Sequence, residues 1–215
     1  MDLRGCIFDL DGVIVDTAKY HFMAWRRLAK ELGFIFTLED NEALKGVSRM
    51  ASLEILLGKG NIHATEKEKE ELAARKNGWY VEFISGMKPD EILPGSVKLL
   101  KTLRKEGILT AIGSASKNAG TILDGINLRN MFDVIIDGNK ISKAKPDPEV
   151  FLRGAREMML SPSQCIVFED AQAGIEAAIA GGMKCVGVGS PELLGRADLV
   201  IPDLKKITLK QLRNL

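Results

Sequence analysis

A short apolar run, Cys6-Ile7-Phe8, ends in Asp9-Leu10-Asp11-Gly12-Val13 before the first helical pattern begins, and this junction constrains the fold more than any other part of the chain. A buried strand that ends in two acids one residue apart needs a reason for them. Side chains alternate along extended backbone, so Asp9 can point its carboxylate into a site at the strand end. Asp11, just beyond, can turn back over the same point because Gly12 permits a tight bend. Two carboxylates ~4 Å apart repel by roughly 4 kcal/mol at an effective dielectric near 20. Such repulsion asks for a bound cation. Taken alone, Asp-Leu-Asp-Gly reads better as an ordinary polar turn, so the remainder of the chain has to decide.

From residue 16 to about residue 87 the pattern is helical throughout, and from about Pro94 onward strands and helices alternate. Asp16 or Thr17 is expected to cap a helix whose apolar face runs through Tyr20, Ala24, Trp25, Leu28 and Leu32, with Gly33 as its stop signal. A short helix is expected after Thr37, and Ser48 caps a third that carries Leu53, Ile55 and Leu56. Thr65 with Glu68 forms a capping box opening a long charged helix through Lys76, Tyr80 and Phe83. In the second half, apolar runs rich in branched residues recur at 109–113, 134–136, 165–168 and 185–188, most of them separated by helices. Asp147 and Pro148 fit the cap and first turn of one such helix. This alternation predicts an α/β protein with a doubly wound parallel sheet covered on both faces. Residues 1–15 and 93–215 form its core, and residues 16–92 form an inserted helical cap.

Sheets of this kind bind ligands beyond the carboxyl ends of their strands, at a topological switch point. Asp9, Ser114, Glu169 and Asp170 all lie at predicted carboxyl ends, which brings residues distant in sequence to one crevice.

Bulk properties narrow the function classes. With 215 residues, 46% of them hydrophobic, the chain can bury a substantial core, which excludes the disordered class. A net charge of +1 leaves no global positive field of the kind that marks a nucleic-acid binder. Small anionic ligands remain compatible. Cys6, Cys165 and Cys185 all fall in strand-like apolar runs, an odd number without framework spacing, which argues against secretion. The chain opens without a signal-peptide pattern, and no run reaches membrane-spanning length. A cytoplasmic protein, monomeric and without nucleic-acid or membrane partners, is expected.

Three further segments accompany the first acid pair: Gly113-Ser114-Ala115-Ser116, Lys145-Pro146-Asp147-Pro148 and Phe168-Glu169-Asp170-Ala171. In order and context the four resemble the motifs of the haloacid dehalogenase superfamily. Longer matches narrow the resemblance to its beta-phosphoglucomutase family: residues 16–22 (Asp-Thr-Ala-Lys-Tyr-His-Phe), 44–49 (Leu-Lys-Gly-Val-Ser-Arg), Arg75-Lys76-Asn77, 114–118 (Ser-Ala-Ser-Lys-Asn) and 169–175 (Glu-Asp-Ala-Gln-Ala-Gly-Ile). The likeness spans nearly the whole chain. Gly113, where alanine is common in the family, and Asp147-Pro148 depart from its pattern without removing a functional group.

The resemblance implies a magnesium-dependent phosphotransferase of the isomerase class that acts on small sugar phosphates. The reaction that the resemblance implies is the interconversion of beta-D-glucose 1-phosphate and glucose 6-phosphate through an aspartyl phosphate and a beta-glucose 1,6-bisphosphate intermediate. Asp9, ionised at neutral pH, can attack phosphorus. Asp9, the backbone carbonyl of Asp11, Glu169 and Asp170 supply only oxygen, which suits magnesium; Asp170 is weighted above Glu169 as the more direct ligand. The pair 169–170 equally suits a helix cap, and the two roles can coexist. Ser114 and Lys145 match the residues that hold the transferring phosphoryl group, with Pro146 and Pro148 stiffening the approach of the lysine. Asp11 matches the general acid and base that separates phosphoryl transfer from dehalogenation, a role typically worth ~10² to 10⁴ in rate.

Arg49, beyond Lys45-Gly46-Val47-Ser48, matches the anchor for the phosphate that is not transferred. As a mere surface residue it would sit at the wrong end of a helix dipole. His21 and Lys76 match cap residues near the acid/base, and Thr17 joins them at the expected substrate site. Trp25 suits either the core or a sugar-facing wall, the core being the safer assignment. Ala115, Ser116, Lys117 and Asn118 complete the expected substrate-binding set, the last three also suiting a helix cap. The same core, letting water attack, would make a sugar-phosphate phosphatase, and that is the alternative reading.

Overall fold

The computed structural model describes residues 1–44 and 47–215. Strand β1 (Gly5–Phe8) is followed among the described residues by helices α1 (Ala18–Glu31), α2 (Leu38–Glu42), α3 (Arg49–Lys59) and α4 (Glu66–Ile84). The chain continues through α5 (Ser96–Lys105), β2 (Leu109–Gly113), α6 (Ala119–Gly125), β3 (Val134–Ile136), α7 (Glu149–Glu157) and β4 (Cys165–Glu169). It ends with α8 (Gln172–Ala180), β5 (Lys184–Val188), α9 (Pro191–Leu194), β6 (Leu199–Ile201) and α10 (Leu209–Arg213). Two compact units result, Met1–Asp16 with Lys88–Leu215, and Thr17–Met87.

In the first unit all described strands pair in parallel, in the order β3-β2-β1-β4-β5-β6. Chain order reverses between β1 and β4, which makes their carboxyl ends the switch point. Every residue of β1 and β4 is buried, as sheets covered on both faces require. Alternation sends Ile7 and Val167 to a core with Val150, Phe151 and Ile175, while Phe8 and Phe168 stack at 4.6 Å on neighbouring strands. The departure at Gly113 has a packing reason: a Cβ there would meet the Phe151 ring at 2.9 Å.

The second unit is helical. The expected capping box of Thr65 and Glu68 opens α4, Thr37 forms another with Asp40, and the Ser48 hydroxyl accepts from the Ala51 amide. Differences from the sequence reading are local. Thr17 occupies the cap position of α1 but makes no side-chain cap bond. Helix α7 starts one residue later than expected, with Pro148 at the cap, while the Asp147 carboxylate accepts from the Glu149 amide. Strand β6 lies beyond the runs expected from the sequence; it is a three-residue edge strand in which, unlike β3 with its buried Ile136, every residue is only half-buried. Residues 88–92, expected in the cap, belong to the first unit: Ile92 bridges Val15 and the Leu93 amide donates to the Ile14 carbonyl. No described helix is long and apolar enough to cross a membrane.

Candidate active site

Asp9 sits one residue beyond β1, where its amide donates to the Phe168 carbonyl at the end of β4 and fixes its depth. The loop then folds tightly, with the Gly12 amide donating to the Val15 carbonyl and the amides of Ile14 and Val15 to that of Leu10. Gly12 adopts φ +80°, and a Cβ on it would collide with the Asp170 carboxylate. The glycine therefore provides both the turn and the close approach of two motifs. Asp9, Glu169 and Asp170 can each aim one carboxylate oxygen into the same space, all within 4.8 Å of one another.

Lys145 enters this acid cluster from the loop before α7. Its ammonium donates to Asp9 at 2.6 Å and to Glu169 at 2.5 Å, with both ion pairs buried. Burial alone would lower the pKa of this ammonium, but the two carboxylates outweigh it and hold the lysine charged well above its ordinary value. The loop that aims it is tied by Glu149, whose carboxylate accepts from the Ser142 amide and hydroxyl and from the Lys143 amide. Glu149 was missed in the sequence; an acid one residue after Pro148, in the first turn of a helix, is the signal that marks it.

Ser114 is buried just past β2, and its amide donates to the Ile136 carbonyl. Its hydroxyl accepts from the Ser116 amide at 3.1 Å, which leaves the hydroxyl proton to be donated to an anion. Ser116 in turn accepts from the Asn118 amide. The segment of Ala115, Ser116, Lys117 and Asn118 is thus an ordered turn into α6, with Asn118 at the cap position but making no side-chain cap bond.

The oxygen-only donors of the acid cluster fit a hard divalent cation. Without one the site is overcharged: burial, then Glu169, Asp9 and Asp11, push the Asp170 carboxyl up to about 8, and burial likewise raises Glu169. A carboxyl raised from 3.8 to about 8 on folding costs nothing below pH 3.8, and its penalty grows as pH rises through that interval. Metal-free protein should therefore lose unfolding free energy between about pH 4 and pH 8 at this site, and magnesium should flatten the decline. Calorimetric titration of magnesium at pH 7 in buffers of differing ionisation enthalpy should show proton release; heats independent of the buffer would contradict it.

Within the second unit, Lys76 donates to His21 Nδ1 at 2.9 Å, and its ammonium lies 4.3 Å from the Trp25 ring centroid and 4.9 Å from that of Tyr80. A lysine donor requires the histidine nitrogen to accept. Desolvation, with the charges of Lys76 and Arg49 adding to it, keeps the imidazole neutral, well below its usual pKa. Tyr80, absent from the predicted set, stacks on His21 at 4.1 Å. Trp25 is buried, the core placement of the two weighed. Thr17 is buried at the start of α1, and Arg49 is the half-buried first residue of α3, where burial lowers the guanidinium pKa. Val47 and the exposed Ser48 lead into it; Lys45 and Gly46, expected at the same site, lie outside the described residues.

A family model for haloacid dehalogenase-like hydrolases matches residues 3–182. The chain belongs to this family. Among its haloacid dehalogenase-like relatives, a beta-phosphoglucomutase of Bacillus subtilis (strain 168) is 42% identical over 212 residues, covering 98% of this chain and 94% of the relative. A fructose-1-phosphate phosphatase of Escherichia coli (strain K12) is 34% identical over 190 residues, covering 86% and 95%. The crystal structure of a beta-phosphoglucomutase from Clostridium difficile superposes with a TM-score of 0.93 at 41% identity, covering 99% of this chain and 96% of that one.

Proposed function

We propose that this chain is a beta-phosphoglucomutase, interconverting beta-D-glucose 1-phosphate and glucose 6-phosphate through an aspartyl phosphate on Asp9 and a beta-glucose 1,6-bisphosphate intermediate. The observation that carries the reading is the 42% identity to a beta-phosphoglucomutase across 98% of the chain, with the phosphatase relative at 34%.

Asp9 is the nucleophile. Its carboxylate oxygen forms a bond to phosphorus as the bond to the sugar oxygen breaks, and Asp11 delivers a proton to that oxygen. In the return step Asp11 removes a proton from the incoming hydroxyl. Lys145 orients Asp9 through its hydrogen bond, and with the Ser114 hydroxyl it holds the transferring group in line. Asp9, Asp170 and the Asp11 carbonyl, with Glu169 beside them, would hold a divalent cation, which would offset the charge of the phosphoryl oxygens; the all-oxygen set favours magnesium. His21 and Lys76 contribute a neutral acceptor and a fixed positive charge, and Arg49 binds the phosphate that stays on the sugar. The reading includes a cytoplasmic monomer whose partners are small sugar phosphates.

Arg49→Lys provides a check on the substrate side. Because lysine lacks the planar fork, the variant should lose at least tenfold more kcat/KM with the bisphosphate than in hydrolysis of acetyl phosphate. Equal losses on both would make Arg49 structural. For the whole reading, the test is product analysis with beta-glucose 1-phosphate, magnesium and a trace of bisphosphate. Glucose 6-phosphate should accumulate in large excess over inorganic phosphate; the reverse ratio would favour a sugar-phosphate phosphatase.

A further inference from the structure

We propose that Gly174 is a positioning residue for Glu169, holding open the space that lets this carboxylate serve the acid cluster. Glu169 ends β4, and Gly174 lies in the first turn of α8. An ideal Cβ on Gly174 would coincide with the Glu169 side chain, colliding with Oε1, Cδ and Cγ together. The glutamate thus lies flat across the bare Cα of the helix. In that position one of its oxygens accepts from Lys145 at 2.5 Å and the other from the Ala171 amide at 2.9 Å.

The backbone gives no separate reason for the glycine. Gly174 is not among the residues of positive φ, and a helix position of ordinary conformation is more stable with alanine than with glycine. What excludes alanine is the acid. Displaced by a methyl group, Glu169 must leave Lys145 or push α8 off the sheet, and either move withdraws an oxygen from the acid cluster. The glycine therefore acts on the chemistry through Glu169, without itself touching substrate.

The test reads the sign of one substitution in two backgrounds. In metal-free protein, Gly174→Ala should lower the midpoint of thermal unfolding by at least about 3 °C, and in calorimetry it should weaken magnesium binding tenfold or more. In a Glu169→Ala background, where nothing occupies the space, the same substitution should raise the midpoint and leave magnesium affinity unchanged within twofold. A midpoint that falls in both backgrounds, or rises in both, overturns the proposal. Should Glu169→Ala fail to fold, Glu169→Asp serves instead. The shorter acid should remove more than half of the Gly174→Ala effect, and an undiminished effect overturns the proposal. The affinity measurement rests on the acid cluster being the cation site, whereas the unfolding measurement does not. Wild-type protein that binds no magnesium would therefore sink the site assignment, while the sign reversal still decides the role of Gly174.

Discussion

Asp9→Asn is expected to fold and to lose phosphoryl transfer by on the order of 10⁴-fold or more, the scale of loss when a covalent nucleophile is removed. The amide has the shape of the acid but neither its charge nor its nucleophilicity, so no bond to phosphorus can form. Its environment predicts a further effect. Lys145 would keep Glu169 but lose its charge-assisted bond to Asp9, and the cation site would lose one anionic ligand of the three that converge there. Magnesium affinity should fall along with turnover. Incubation with labelled bisphosphate, followed by acid precipitation, should leave wild-type protein labelled and the variant unlabelled. Turnover at the wild-type rate by the variant would remove the aspartyl-phosphate mechanism.

Lys145→Met should have the largest effect on stability. The ammonium is buried against two carboxylates, and removing one partner of such a network leaves uncompensated buried charge, at a cost of about 3–5 kcal/mol. The pH dependence has a definite sign. Without the lysine, Glu169 and Asp170 share the site with Asp9 and no internal cation, so the folded-state pKa values of Glu169 and Asp170 rise further above the unfolded ones. The penalty is absent below about pH 4, where carboxyl groups are protonated in either state, and grows as pH rises. Denaturant unfolding should therefore find the variant close to wild type near pH 4 and much weaker at pH 8. Magnesium should recover part of the difference by mass action. Equal destabilisation at both pH values would mean that lost packing against the Phe151 ring, 4.8 Å from the ammonium, outweighs the electrostatics.

Much of this site is legible in the sequence because parallel sheets place strand ends together. Asp9, Ser114 and Glu169 each follow or end an apolar run, and the runs of β1, β2, β4 and β5 read clearly since these strands are buried on both faces. The capping box at Thr65 and Glu68 is equally local and equally readable. Strand order is different: nothing within β1 or β4 states that they are neighbours, and that pairing is what sets Asp9 against Phe168. The edge strand β6 carries three half-buried residues before Pro202, too weak a pattern to separate from a loop. The closing of the first unit by Ile92 on Val15 depends on chain return after residues 16–91, where local propensity is silent. Gly174 belongs to the same class. As a residue it resembles any weak spot in a helix, and its meaning emerges only from the Glu169 side chain lying across it.

The acid cluster could serve a mutase or a phosphatase alike, so what separates the two activities is the fate of the phosphorylated Asp9. A mutase must keep that intermediate from abundant water until a sugar phosphate arrives. Binding energy from the distal phosphate, for which Arg49 is the proposed anchor, must then favour transfer over hydrolysis. The decisive measurement prepares the labelled phosphoenzyme and follows its decay in buffer with magnesium, with and without glucose 6-phosphate. Discharge to beta-glucose 1,6-bisphosphate at least 100-fold faster than release of inorganic phosphate is the predicted result. Release to water faster than transfer to the sugar would contradict the mutase assignment and make this chain a sugar-phosphate phosphatase.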